Sequence, residues 1–434
     1  MNTVLLLGIL LLIALFTTRI TRLGHLPNVT AFLLIGVFVA IVCLLIDKTG
    51  YVDIEGNTLS ESLTKMNGFV SNIALGFIAL SIGQEFKLSK ISKLGKKIVS
   101  ITFFQTLTTL ILVDIVLLIA CKFLNVNSGV AICLGAIATA TAPAATMMVI
   151  HQYNAKGSLV DTLIPIVAFD DAIGLIVFSI SIAISKVLVS GGPINFISLA
   201  LIPLLEIVVS LGIGFILGLL MHIVIKYFKS RNNHMIVIIA FTLLGVGICL
   251  SLNTLKINGE SLEFSSLLTC MMTGAAYVNL SKDNEEQILS RDFELIDRWE
   301  QFLLTLFFTL SGTHLVISGH TLLTQNSNSG IELIICIFIL YFVFRSLGKY
   351  FGAFLGCKVN KCDNNTTKYL GLTLLPQAGV AIGMANQISS MEAFNVSNMG
   401  SLIVTVVLLA TLVYEIFGPV ITKWALTKSH NITQ

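Results

Sequence analysis

The chain has 434 residues, of which 55% are hydrophobic and only 11% charged, and its mean hydropathy is +0.93. A soluble domain carries roughly 25% charged residues, so composition excludes a water-soluble globular protein and predicts an integral membrane protein. The formal net charge of +3 is too small to suggest a nucleic-acid partner.

A bilayer core of about 30 Å takes about 20 apolar residues per helix. That ruler predicts an all-α chain of about thirteen transmembrane helices: 3–18, 29–47, 68–84, 98–121, 128–150, 159–187, 198–226, 235–251, 263–281, 302–318, 331–357, 366–388 and 399–424. The first run lacks a basic leader and a small-residue cleavage site, so it reads as a retained span rather than a signal peptide. Most of the eight cysteines fall in apolar runs and none forms a CxxC pair. They are expected to act as small hydrophobes rather than in metal or redox chemistry.

Loop charge orients the chain. Of 26 Lys and Arg, 19 border or occupy loops after odd-numbered segments and five those after even-numbered ones. Cytoplasmic loops carry the excess, so the N-terminus is expected outside and the C-terminus inside. The longest hydrophilic stretch, Ser281–Gln301, is expected to be a solvated cytoplasmic connector, with an interfacial helix as the alternative. His151 and His234 border cytoplasmic ends and are read as ordinary loop histidines rather than pH sensors.

Segment 5 is interrupted by "ATATAPAATMM" (Ala138–Met148), with Pro143 among small and hydroxyl residues. Segment 12 is interrupted by "LLPQAGVAIG" (Leu374–Gly383), with Pro376, Gln377 and Gly379. Proline removes a backbone hydrogen bond, and freed backbone at membrane depth survives only where it is buried in protein or lines a cavity. The breaks lie seven segments apart, so matching helices of the two halves run in opposite directions. That predicts an inverted repeat with two broken crossing helices, and such paired breaks point to a midplane transport site.

The remaining two cations, Arg345 and Lys349, lie inside segment 11, four residues apart and therefore on one helix face. Segment 6 carries Asp170 and Asp171 about 18 Å from its start, near mid-membrane. Each such charge costs about 2.5–3.5 kcal/mol at the helix centre. A buried ion pair accounts for one Asp and one cation but not for a second, adjacent Asp. One carboxylate is expected to pair with Lys349 while the other faces a wet cavity, where it can hold a proton or a small cation. Competition between the two couples an exchange. Hydroxyl or carbonyl oxygens of Thr139 and Thr141 are expected to complete the site, since a desolvated Na⁺ needs several oxygen ligands. Which cation faces the carboxylates, Lys349 or Arg345, stays open, as does whether Glu415 pairs with Arg345 or snorkels. Asp114, Glu206 and His222 are read as helix-contact or interface residues. Consecutive carboxylates without a GxGD motif argue against an intramembrane aspartyl hydrolase, and an inverted repeat argues against a channel.

The motifs "TAPAATMMVI", "LIPIVAFDDAIGLIVF", "RSLGKYFGAFLG" and "LLPQAGVAIG" occur in that order. They resemble the monovalent cation/proton antiporter superfamily, most closely its bacterial double-Asp branch. "FFTLSGTHLVIS" and "YEIFGPVITK" are similar to its members too. The resemblance implies a dimerisation domain (1–97 and 191–330, the latter with a linker helix) and a core ion-transport domain (98–190 and 331–434). The core would move in an elevator-like cycle within a homodimer in the cytoplasmic membrane. It also implies that Asp171 binds the cation, as the Na⁺ ligand, while Asp170 pairs with Lys349, and that exchange is electrogenic. No cofactor is implied beyond the transported monovalent cation and protons. The regulatory C-terminal domain typical of gated K⁺ efflux members has no counterpart up to Gln434. Na⁺ or Li⁺ is therefore the expected cargo and K⁺/H⁺ exchange the alternative.

Overall fold

The computed structural model describes residues 3–24, 28–50, 58–84, 86–142, 146–147, 149–150, 153–190, 202–228, 230–253, 256–257, 260–261, 264–281, 286–325, 330–395 and 398–431. It is helical apart from one hairpin of two-residue strands, Lys256–Ile257 and Glu260–Ser261. The helices are α1 (Thr3–Gly24), α2 (Asn28–Asp47), α3 (Leu59–Gln84), α4 (Leu88–Phe123), α5 (Ser128–Ala138), α6 (Ser158–Ser190), α7 (Ile202–Ile225) and α8 (Arg231–Leu252). They continue as α9 (Ser266–Leu280), α10 (Glu286–Gln325), α11 (Gly330–Val359), α12 (Asn364–Thr373), α13 (Gly379–Ser390), α14 (Glu392–Asn395) and α15 (Met399–Lys428).

Among the described residues, nine helices are long and apolar enough to cross a membrane. Shorter apolar helices lie at Leu7–Phe16, Ser128–Ala138 and Ser266–Leu280. Without water at that depth each helix closes its own backbone bonds, which is why apolar runs of this length become helices and not sheets. Large apolar side chains such as Phe38, Ile111, Ile119, Ile216 and Ile339 point outward, as a lipid-facing surface requires.

Three expectations are corrected here. Ser281–Gln301 is not a solvated connector: from Glu286 it is the N-terminal part of α10, a single 40-residue helix. Its Phe293, Ile296 and Glu300 are buried, so an apolar face inside the polar stretch docks it against the protein. Helix α4 starts ten residues before the expected 98, because an amphipathic turn precedes the apolar run. It bends at Gly95, whose φ of 77° only glycine adopts freely, so the boundary drawn at residue 97 falls inside this helix. Helix α1 also extends past Thr18, to Gly24.

Packing sorts the helices into two sets. In one, α2 and α3 lie along α10, and α9 packs on α3, α7 and α8, with α1 against α2. In the other, α4 lies along α11, α5 packs on α4 and α6, and α12 and α13 pack on α15. The sets meet chiefly where α15 touches α10 and α13 touches α3.

The crossing of α2 and α10 shows why small residues are needed at such contacts. A methyl group on Gly312 would run into the Leu33 carbonyl, and one on Gly36 into the Thr309 carbonyl. Membrane helices gain van der Waals contact, not water release, when they associate, so closeness of the backbones matters. Gly312→Val is expected to destabilise the protein by about 1–3 kcal/mol, the usual cost of overpacking. A lowered thermal midpoint in detergent would show it.

Candidate ion-binding site

The site lies where α6 passes the two broken segments. Helix α5 stops at Ala138 and residues 140–142 are non-helical. Helix α12 stops at Thr373 and α13 begins at Gly379, leaving Leu374–Ala378 outside the helices. The two breaks bond directly to each other, Ala142 N–H donating to the Pro376 carbonyl at 2.9 Å. Gln377 ties them a second time, its Nε2 donating to the Ile137 carbonyl at 3.1 Å and to the Tyr341 hydroxyl at 2.8 Å. Pro143 lies outside the described residues.

Arg345 answers the question of the two cations. Its Nε donates to the Ala138 carbonyl at 3.0 Å, and its other two nitrogens to the Leu375 and Ala140 carbonyls at 2.7 Å each. The guanidinium also lies over the Tyr414 ring, 4.4 Å from its centroid. A rigid fork of donors suits several fixed acceptors, and these carbonyls are ones the breaks deprive of helical partners. The Arg345–Glu415 pairing weighed from sequence is therefore not formed. Glu415 is buried, its Oε1 has no hydrogen-bond partner, and Arg345 has its donors on backbone oxygens.

Lys349, one turn along α11, reaches the carboxylates. Its Nζ lies 2.7 Å from Asp170 Oδ2 in a fully buried ion pair. It also donates to Thr141 Oγ1 at 2.8 Å and to the Thr139 carbonyl, which uses all three ammonium protons. Asp170 accepts in addition from the Thr141 hydroxyl, from Gln105 Nε2 and, at 3.0 Å, from the Thr106 hydroxyl. A buried pair is tolerated when its remaining lone pairs are satisfied in this way. Thr139 Oγ1 instead donates to Ala136 O at 2.7 Å and finishes α5.

Asp171 differs from its neighbour. It is 2% exposed, and its Oδ1 is buried without a hydrogen-bond partner. Among the described residues no cluster of three or more His, Cys, Asp and Glu could hold a metal ion.

Gln105 and Thr106 were not singled out from sequence. The signal was present in "ITFFQTLTTLILVD": Thr102, Gln105, Thr106 and Thr109 recur at helical spacing in an apolar run, and all four are buried. Away from the site, Asp363 caps α12 and accepts from the Ser158 hydroxyl at 2.5 Å, joining α12 to the start of α6. Burial opposes its ionisation, but the bonds from Ser158 and Thr366 outweigh that and bring the carboxyl down to about 2.

A family model for the transmembrane sodium/hydrogen exchangers matches residues 8–426. The chain belongs to that family. Its fold is similar to that of the sodium proton antiporter MjNhaP1 from Methanocaldococcus jannaschii at pH 8, with a TM-score of 0.63 and 19% identity over 98% of both chains. An electron-microscopy structure of the same antiporter gives 0.60 and 16% over 96% of both. No curated protein sequence matches the chain. This exchanger is thus a multi-pass membrane protein of a cation/proton antiport family, a family of transporters and not of enzymes.

In this exchanger, Asp170→Asn leaves Lys349 buried without a counter-charge, which typically costs roughly 3–5 kcal/mol. Adding Lys349→Met removes the stranded charge. The double variant is expected to melt above the Asp170→Asn single variant in detergent, and additive losses would show that the pair is not coupled.

Proposed function

We propose that the protein exchanges cytoplasmic Na⁺ or Li⁺ for external H⁺ across the cytoplasmic membrane, with its N-terminus outside and its C-terminus in the cytoplasm. The observation that carries this reading is the contrast between the two acidic neighbours. Asp170 is saturated by Lys349, Thr141, Gln105 and Thr106, whereas Asp171 keeps a buried oxygen without a partner. Asp171 is the cation and proton ligand, and Asp170 is the charge partner of Lys349. A desolvated carboxylate cannot stay ionised alone at this depth, so it takes a proton when the cation leaves and gives it up when the cation returns. That competition is the coupling.

Two helix sets that meet along limited surfaces support alternating access by displacement of one set past the other, within a homodimer. The retained charge at Asp170 favours an electrogenic cycle. The structural relative is described as a sodium proton antiporter, which favours Na⁺ over K⁺ as cargo.

The test is proton flux in sealed liposomes holding a preset pH gradient, with Na⁺, Li⁺ and K⁺ added in turn. Wild type is expected to dissipate the gradient on addition of Na⁺ or Li⁺, and Asp171→Asn to leave it intact. A response to K⁺ alone would move the cargo to K⁺, and no response to any cation would refute exchange.

A further inference from the structure

A second buried polar cluster lies away from the carboxylates, where α13 meets the opposite helix set. It consists of Asn67 and Ser71 on α3, Ser311 and His314 on α10, and Asn386 on α13, all nearly fully buried. His314 lines a cavity of about 550 Å³, whose other walls include Ser60, Glu61, Thr64 and Lys65 of α3, Thr321 of α10 and Ser401 of α15. Under the orientation proposed above, this cavity opens to the outside.

The hydrogen bonds within the cluster set up a conflict at one atom. Ser71 Oγ donates to Asn67 Oδ1 at 3.3 Å and accepts from Asn386 Nδ2 at 3.2 Å, and Asn386 Nδ2 also reaches Ser311 Oγ at 3.2 Å. Those bonds orient both amides, so the ends they turn to His314 are opposite in kind. Asn67 presents its NH₂ to Nδ1 at 3.2 Å, and Asn386 presents its carbonyl oxygen to the same Nδ1 at 3.1 Å. One ring nitrogen cannot accept from the first and donate to the second at once.

We propose that His314 is a positioning residue for the exchange cycle, a proton-operated latch between the α3–α10 frame and α13. A neutral ring with its proton on Nε2 has a bare Nδ1, which accepts from Asn67 and leaves Asn386 to its bonds with Ser71 and Ser311. An imidazolium carries hydrogen on Nδ1, donates to Asn386 and adds a further tie between the frame and α13. Since α13 is half of the broken segment that meets the ion site, external acid slows the cycle through a group remote from the carboxylates. The charged groups facing the ring across the cavity are Glu61 and Lys65 of α3. Asp47 at the end of α2 is committed to the Leu59 and Ser60 N–H groups, and among the described residues α13 and α15 bring the neutral Asn386 to the ring and Ser401 to the cavity. This inference rests on the exchange reading.

The experiment uses oriented right-side-out vesicles with the inner pH fixed and Na⁺-driven proton flux read as the outer pH falls from about 8.5 to about 5, a span that reaches below the ordinary imidazole range. His314→Gln keeps amide hydrogen bonding but cannot gain a proton. It is expected to match wild type at the alkaline end and to run about fivefold faster at the acid end, the factor for one ordinary hydrogen bond. Asn386→Ala removes the other half of the latch, together with the bonds to Ser71 and Ser311, and is expected to abolish the acid slowing as well. Asn67→Ala removes the competitor and is expected to start the slowing at higher pH. If wild type exchanges but His314→Gln and Asn386→Ala keep its profile, the latch is wrong. If wild type shows no Na⁺-driven flux, the exchange reading fails and takes the latch with it.

Discussion

The structure depends on where the carbonyls of two broken helices find their partners. Interrupting α5 and the α12–α13 segment at membrane depth strands backbone acceptors in a medium without water, each at a cost of several kcal/mol if left bare. Arg345 gathers three of those carbonyls, from Ala138, Ala140 and Leu375, into one guanidinium fork. Tyr414 covers the ring face of that fork and anchors its own hydroxyl on the Phe342 carbonyl at 2.7 Å. The crossing is thereby made rigid from α11, and a lysine could not replace the arginine, because a point charge does not hold three fixed acceptors in one plane.

Division of labour between the two cations follows from that constraint. With Arg345 committed to backbone, Lys349 is the cation that meets the carboxylates, and its ammonium binds Asp170 together with Thr141 and the Thr139 carbonyl. The breaks thus do two things at once. They free Thr139 and Thr141 to turn oxygens toward α11, and they bring residues 138–142 against the Asp pair of α6. Gln105 and Thr106 close the far side of Asp170 from α4. The result is one acidic residue built into a saturated network and one left with an oxygen to spare. On the function proposed above, that asymmetry is what a cation and a proton compete over.

Much of this was legible in the sequence because membrane constraints are severe. Apolar runs of fixed length revealed the spans, and Pro143 with Pro376 marked the breaks. Asp170, Asp171, Arg345 and Lys349 stood out, since four charges in hydrocarbon need a reason, and the structure pairs Asp170 with Lys349. What stayed illegible depended on directions that spacing does not carry. Arg345 and Lys349 share a helix face, so only the third dimension tells that one turn reaches carbonyls and the next reaches Asp170. Glu415 stayed open between pairing with Arg345 and snorkelling, and it does neither: it is buried, and Arg345 has its donors on backbone carbonyls. The polar connector Ser281–Gln301 hid a helix because its buried face, Phe293, Ile296 and Glu300, is thin and mixed with charges. Gln105 and His314 sit among Thr and Ser in apolar helices, side chains more often satisfied within their own helix, and their importance lies in what the opposite helix presents.

The central claim is that a cation and a proton compete for Asp171, and proton release from purified protein tests it most directly. The protein in detergent is held in weakly buffered solution near neutral pH, and Na⁺ is added while the pH is followed. The account predicts protons released in proportion to Na⁺ bound, with none released by Asp171→Asn. Binding of Na⁺ without release of protons, or the same release from the variant, would contradict it.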